Sequence, residues 1–211
     1  MKLKRLITGM LETNGYIVYD EHTLEALVID PGDEPQIFIE YMEKNSLKVQ
    51  GIVLTHYHYD HIGAVEDIKM KYNCPVYIHK KDAHGLHRPE INYSMGGFRK
   101  PVSIIPGRTL SHGDCVQAGS MILEVIHTPG HTPGSICLKV KDANIIFTGD
   151  TIFDDDLGRT DLEGGSTEEM RKSIVNKISK WSDDITIYPG HGDHATMAYV
   201  RKKNMEFLCM L

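Results

Sequence analysis

The chain has 211 residues, 41% of them hydrophobic, and a formal net charge of −6. That length and apolar share suit a single compact domain spanning 1–211 and exclude a disordered tract. The acidic balance excludes a general polyanion binder, because phosphate contacts need a concentrated basic surface, and no run approaches the roughly 20 apolar residues of a membrane span.

At the amino terminus Lys2, Lys4 and Arg5 precede a short apolar run, but Thr8 and Gly9 interrupt it and Glu12 ends it. A first strand is therefore expected rather than a secretory signal. Strands are expected over 3–8, 15–19 and 25–29, followed by a turn at Asp30-Pro31-Gly32-Asp33. Asp33 or Glu34 should open a helix with Pro35 in its first turn, ending near Asn45, with Ile37, Phe38, Tyr41 and Met42 on one face. A strand at 51–55 precedes a helix over 60–72, whose core side is Ile62, Val65, Ile68 and Met70. After a strand at 76–79 comes the least patterned stretch, 80–108, with His84, His87, Tyr93, Met95, Phe98 and the Gly96-Gly97 pair. Long irregular segments in compact domains are often functional, so this one is expected to form a rim or lid over a pocket. Short strands resume near 109 and over 114–118, 121–127, 135–140 and 144–147. Ser166 to Glu169 has the form of a capping box, and Met170, Ile174, Ile178 and Trp181 follow on one helical face. A strand at 185–188 and a helix over 194–208 end the sequence. Strands interleaved with amphipathic helices imply a layered α/β architecture.

Chemistry is concentrated at the ends of those strands. His56, His58, Asp60 and His61 fall within six residues, directly after the apolar run 51–54. Three further strand-like runs each end in glycine followed by a ligand-type residue: Pro129-Gly130-His131, Thr148-Gly149-Asp150 and Pro189-Gly190-His191. Glycine lets the backbone turn sharply and approach an ion, and strand ends hold ligands more rigidly than mobile loops. Imidazole and carboxylate suit zinc, iron and manganese without any thiolate. Cys74, Cys115, Cys137 and Cys209 form no CxxC pair and read as reduced residues, which fits a cytoplasmic location. Outside the motif, His22, His79, His84, His87, His112 and His194 read as ordinary polar histidines. His127 begins the turn before His131 and is placed to support a ligand by a hydrogen bond.

The series HxHxDH, TPGHTPGS, TGD and PGHG resembles the signature of metallo-β-lactamase-fold hydrolases over nearly the whole chain. Within them, Gly158-Arg159-Thr160-Asp161, and Pro189-Gly190-His191-Gly192 ahead of a basic terminal helix, are similar to the glyoxalase II-like (hydroxyacylglutathione hydrolase-like) group. The resemblance implies an αββα sandwich of two mixed β-sheets flanked by helices, with two divalent metal ions along one sheet edge. Zinc is the first choice, then iron or manganese. One ion would be held by His56, His58 and His131, the other by Asp60, His61 and His191, with Asp150 bridging. It further implies a metal-activated hydroxide, oriented or deprotonated by Asp60, acting on a thioester such as S-lactoylglutathione. Arg159 and Tyr93 are the candidate substrate contacts, although for Arg159 a brace against Asp161 is the favoured reading. The family's helical C-terminal domain has no counterpart here, so glutathione would lack the basic contacts that domain supplies. The Arg201-Lys202-Lys203 run reads as a solvated helix face. The runner-up is a persulfide dioxygenase using a single iron; a lactonase or nuclease ranks lower. The expected partner is a small-molecule substrate, with no nucleic acid and no membrane.

Overall fold

Alternation along the strands sets the layers of the fold. In β2 (Thr13–Tyr19), Tyr16 and Val18 join one apolar cluster while Ile17 joins another. β3 (Glu25–Ile29) repeats this, with Leu27 and Ile29 on one side and Ala26 and Val28 on the other. Successive side chains of a strand point to opposite faces, so both faces of this sheet are buried. The structure is a computed structural model, described for residues 1–96 and 100–211.

Two six-stranded sheets result. The first has the order β1 (Lys2–Thr8), β2, β3, β4 (Lys48–Val53), β5 (Val76–His79) and β6 (Arg108–Leu110). The second runs from β7 (Cys115–Ala118) at one edge through β8 (Met121–His127), β9 (Ile136–Val140), β10 (Ile145–Gly149) and β11 (Thr186–Pro189) to β12 (Ala195–Thr196). Both are mixed: β3 to β6 pair in parallel, as do β10 and β11, and the remaining pairs are antiparallel. Tyr16, Leu27, Val53, Leu123, Leu138 and Phe147 fill the space between the sheets. Phe38, Met42, Val65 and Ile68, from helices α1 (Pro35–Lys44) and α3 (Val65–Tyr72), cover the first sheet. Met170 and Ile174 of α5 (Thr167–Asn176), Val200 of α6 (Met197–Lys203) and Phe207 of α7 (Met205–Met210) cover the second. The order helix, sheet, sheet, helix is the αββα sandwich.

Several local expectations change. The helix expected over 60–72 is split into α2 (Tyr59–Ile62) and α3, because Gly63 passes against Gly32, whose carbonyl would lie 2.3 Å from a Cβ at that position. Met70 is exposed, and on α1 Ile39 is buried where Ile37 was expected. The terminal helix breaks at Asn204, whose side chain accepts from Phe207 N at 2.8 Å and donates to the carbonyls of Phe153 and Asp156. Ser166 caps α5 as expected, accepting from Glu169 N, but the Glu169 carboxylate pairs with Lys172 instead of reaching back. Ile178 remains in the core beyond the end of α5. The stretch 80–108 is more ordered than its sequence suggests: it holds α4 (Ala83–Leu86), and Leu86, Ile91 and Ile104 are buried in the core. Gly97 and Phe98 lie outside the described residues. Among the described residues no helix is long and apolar enough to cross a membrane.

The two sheets are tied together where the ligand loops emerge. Asn14 donates from its backbone to Gly190 O (2.7 Å) and from Nδ2 to Pro189 O and Gly192 O (3.0 and 2.8 Å). The buried Tyr16 hydroxyl donates to the same Pro189 carbonyl at 2.6 Å. Replacing Tyr16 with Phe keeps the packing against Phe147 and leaves Pro189 O one donor, so it should cost about 1 kcal/mol. Urea unfolding of the Tyr16→Phe protein beside wild type measures this; an unchanged midpoint would show that the clamp carries no stability.

Candidate metal centre

Parallel strands end on the same side of a sheet, and in open α/β sheets the crevice beyond their carboxyl ends is where ligands bind. Here β3 leads into Asp30, β4 into Thr55 and the cluster His56 to His61, β10 into Asp150, and β11 into His191. β8 delivers His131 through the turn after His127. The sequence-derived ligands therefore meet from both sheets.

His58 Nδ1 lies 2.8 Å from His131 Nε2, and ligand atoms of His56, His58 and His131 all fall within 4.8 Å of one another. Ligand atoms of Asp60, His61 and His191 form a second such group. Asp150 stands between the groups: Oδ1 is 3.2 Å from His61 Nε2, and Oδ2 is 3.6 Å from both His131 Nε2 and His191 Nε2. Asp60 Oδ2 accepts from Thr13 Oγ1 at 3.1 Å and lies 3.2 Å from His191 Nε2 and 3.4 Å from His61 Nε2. All seven expected ligands are thus brought together.

Space for this convergence depends on two glycines. A Cβ at Gly190 would lie 2.1 Å from Asp150 Oδ1 and 2.6 Å from His61 Cε1. Gly130 has φ +152°, and a Cβ there would meet Met170 Cα at 2.5 Å. Any side chain at either position would displace a ligand or the helix behind it.

Four of the rings are anchored through their outer nitrogen. His131 Nδ1 pairs with Arg159 O (2.8 Å), His191 Nδ1 with Leu11 O (3.0 Å), His61 Nδ1 with Asp30 Oδ2 (3.1 Å) and His56 Nδ1 with Thr55 Oγ1 (3.1 Å). Such anchoring fixes tautomer and ring orientation, so each Nε2 is directed inward. Nε2 of His56 and of His58 is buried without a hydrogen-bond partner, while His61 Nε2 and Asp150 Oδ1 face each other at 3.2 Å. Buried polar atoms are nearly always paired, and an unpaired one costs about 1–3 kcal/mol. Such atoms, in an all-nitrogen-and-oxygen donor set, fit one or two divalent cations such as zinc, iron or manganese.

Charge follows burial and neighbours. Burial and adjacent imidazoles push His56 well down, and His58 down to about 3. Burial also lowers His131, outweighing Asp150 and the Arg159 carbonyl. For His61, burial is outweighed by the charges of Asp150 and Asp60, which hold it above the ordinary histidine range. Asp150 is held well below the carboxylate range, because His61, through its charge and contact, and then His56 outweigh burial. Most of the ligand set is therefore in its metal-binding protonation state, and a cation would displace a proton from His61.

The two residues singled out as substrate contacts border a cleft of about 510 Å3 that opens onto the ligands, but both have structural partners. Arg159 forms a two-pronged pair with Asp161, at 2.8 Å through both Nε and Nη2, so the bracing role is the one the geometry displays. Tyr93 accepts from Glu163 N at 2.9 Å, while its ring lies 5.6 Å from that of His58. His127 donates from Nε2 to Pro133 O at 2.9 Å, so it braces the turn that carries His131 rather than bonding a ligand as the sequence suggested.

Sequence reasoning missed three supports. Asp30 was read only as a turn residue, yet it holds His61, Thr55 N and Thr55 Oγ1 together. Its signal was present: like Asp150, it is an acid at the end of a β-branched run. Thr55 carried no such signal. Neither did Asp82, which lies fully buried in the polar stretch after β5 and accepts from Thr132 Oγ1 (2.6 Å) and Gly134 N (2.5 Å), holding the turn that carries His131. Burial pushes the Asp82 carboxyl up to about 7, overcoming these hydrogen bonds and that of the Tyr57 backbone.

A folded pKa above the ordinary value near 3.8 means that the native state holds a proton the unfolded chain has released. Stability contributed by Asp82 is therefore lost as pH rises from about 4 to 7. Asparagine does not titrate. The stability of metal-free Asp82→Asn relative to wild type should improve by up to about 3 kcal/mol between about pH 5 and pH 8. Urea unfolding at both pH values reads this difference, and a constant offset between the two proteins would refute it.

Comparison with known proteins agrees with this geometry. The model of the metallo-beta-lactamase superfamily matches residues 8–194. The chain is 33% identical to the probable metallo-hydrolase YqgX of Bacillus subtilis, over 97% of this chain and 96% of the relative. It is 29% identical to the hydroxyacylglutathione hydrolase GloC of Haemophilus influenzae, over 97% of each. Among solved structures, the BLEG-1 B3 metallo-beta-lactamase superposes with a TM-score of 0.90 at 33% identity, covering 96% of this chain and 98% of that one. TTHA1623 in a di-iron-bound form gives 0.85 at 29%, covering 95% and 98%. ETHE1 from Myxococcus xanthus gives 0.79 at 25%, covering 97% and 83%. With seven ligand-type side chains gathered at the strand ends of an αββα sandwich and a family match across nearly its whole length, the chain belongs to the metallo-beta-lactamase superfamily.

Proposed function

We propose that this protein is a metal-dependent hydrolase of thioesters, of the hydroxyacylglutathione hydrolase kind, with two divalent cations, zinc first. The observation that carries the reading is the double ligand set: His56, His58 and His131 on one side, Asp60, His61 and His191 on the other, and Asp150 within reach of both. Similarity to GloC across the full chain supports the substrate class.

Cations held there would lower the pKa of a water toward neutrality and polarise a carbonyl, the two requirements of ester and thioester hydrolysis. The chain's own residues prepare the site for that chemistry. Asp30, Thr55, Leu11 and Arg159 hold four rings in one orientation, so little reorganisation accompanies reaction. Burial raises the Asp60 carboxyl, but His61 and then His191 outweigh it and keep the group ionised. Asp60 is therefore suited, as a standing anion, to accept a hydrogen bond and orient a donor. No acid is needed for the departing group, since a thiol with pKa near ~8.5 leaves readily as thiolate. Phe153, Leu157 and Leu162 supply an apolar wall to the cleft beside Asp150 and His131.

Elemental analysis of purified protein, joined to a hydrolysis assay on S-lactoylglutathione, tests the reading. We expect two metals per chain, turnover that a chelator abolishes and zinc restores, and a loss of more than about a hundredfold in kcat/KM for His131→Ala. One iron per chain, with oxygen consumption on glutathione persulfide and no thioester turnover, would replace this reading with a dioxygenase.

A further inference from the structure

Of the ligands His56, His58 and His131, the first two sit together on one loop, whereas His131 lies 73 residues beyond His58, on the turn between β8 and β9. Its place depends on whatever holds that turn. Asp82 and His127 brace it through Thr132, Gly134 and Pro133. A further set of bonds comes from α5, as a row of donors along one side of the helix. Ser166 N donates to Gly130 O at 2.8 Å, Ser173 Oγ donates to Pro129 O at 2.7 Å, and the Lys177 amine donates to His127 O. Met170 lies between them, its Cα so near Gly130 that a Cβ there would be 2.5 Å away. Ser166 and Lys177 cap the two ends of α5, and the spacing 166, 170, 173, 177 keeps all four residues on one helix face.

Two of these donors are unusual for their positions. A serine within a helix ordinarily bonds back to its own helix or faces water. Ser173 is 2% exposed, and its hydroxyl donates to the turn instead. A lysine at a helix end ordinarily keeps its charged head in solvent. Lys177 is half-buried, has no carboxylate partner among the described residues, and is drawn below the ordinary lysine range by burial. A hydrogen bond from a charged donor is stronger than one between neutral groups, so the His127 carbonyl is held firmly.

The carbonyls gripped in this way, those of residues 127, 129 and 130, run directly up to His131. Because the peptide unit is planar, fixing Gly130 O fixes the plane that leads into His131. Arg159 O then fixes the ring. Backbone position and ring rotation are set by separate contacts.

We infer that Ser173 and Lys177 are positioning residues for the metal centre: through the carbonyls of Pro129 and His127 they hold the backbone of His131 where its Nε2 closes the group with His56 and His58. The inference rests on the double ligand set of the proposed hydrolase and not on the identity of the substrate.

The test compares zinc-loaded wild type with Ser173→Ala, Lys177→Met and the two combined. Lys177→Met keeps an apolar stem and removes the donor; Lys177→Arg restores a donor. Competition with a chromophoric chelator reads zinc affinity. Each single variant should bind at least one zinc about tenfold more weakly, the combined variant more weakly still, and Lys177→Arg within about twofold of wild type. Cobalt in place of zinc gives a second readout, since its visible absorption reports ligand geometry. That spectrum should change in the combined variant and keep its wild-type form in Lys177→Arg. Ile178→Val, which trims the core beside the same helix end, is the control: it lowers stability without touching the turn, and its zinc affinity and cobalt spectrum should match wild type.

Wild-type affinity and spectrum in the combined variant overturn the inference. An equal loss in Ile178→Val does so too, because the effect would then be one of stability alone. Should the combined variant fail to fold, wild-type affinity in both single variants is the overturning result. A wild-type protein that binds no zinc or cobalt refutes the metal centre itself and the positioning role with it, an outcome distinct from a wild type that binds and variants that bind equally well.

Discussion

Burial of a dense set of imidazoles and carboxylates, with some of their inward atoms left unpaired, is the constraint on which the rest of this molecule depends. Three carboxylates, Asp30, Asp60 and Asp150, lie among five histidines, and His56, His58, His61 and His131 are buried. Such groups leave water only if their charges balance and their hydrogen bonds are met. The outer half of that demand is met by the protein: Asp30, Thr55 and two main-chain carbonyls each take one ring nitrogen. The inner half is met only in part, since Nε2 of His56 and of His58 has no partner. Each buried polar atom left without a partner costs about 1–3 kcal/mol. A cation binding there would remove that cost, so affinity for metal and stability of the fold are linked.

That linkage reaches through the whole sandwich because neither sheet owns the site. His56 to His61 come from the first sheet, whereas His131, Asp150 and His191 come from the second. The correct spacing between ligand groups therefore requires the sheets to be held at fixed separation where the loops emerge. Asn14 and Tyr16 accomplish this from β2, gripping the Pro189-Gly190 turn, and Thr55 O accepts from Ile136 N across the same seam. Core packing between Tyr16, Phe147 and Tyr188 lies directly beneath. Changes far from the ligands but within this layer would be felt as altered ligand geometry.

Much of this could be read in the sequence, for a physical reason. Ligands clustered at short spacing after β-branched runs are local patterns, and the glycine before each downstream ligand records a steric demand that only the folded state imposes. Gly190 shows this plainly, since its missing side chain is the space occupied by Asp150. Long-range partners left no such trace. Asp82 lies 50 residues before Thr132, in a run with no periodicity, and its role exists only once two loops are brought together. Helix breaks were equally hidden. The apolar spacing through 60–72 suits one continuous helix, and it is the Gly32–Gly63 contact, a tertiary event, that divides it. Met70 was misplaced for a local reason: within the unbroken α3 it lies two positions beyond the buried Ile68, about 200° around the helix and so on the exposed side.

The rim of the site narrows what the substrate has to offer. Arg159, the obvious cation for a carboxylate, has its guanidinium fork engaged by Asp161, and its carbonyl orients His131. Tyr57 and Tyr93 both end on the backbone of Glu163, joining the loop after β4 and the stretch before β6 to the loop after Asp150. These braces give the cleft a fixed outline, and its remaining walls, Phe153, Leu157 and Leu162, are apolar. Apolar pockets separate substrates by only ~1–3 kcal/mol per methylene, far less than a site built from dedicated polar contacts can achieve. On the hydrolase reading, discrimination then rests on shape and chain length near the metals rather than on charge at a distance. An enzyme so arranged would be selective for the reacting group and tolerant of what surrounds it.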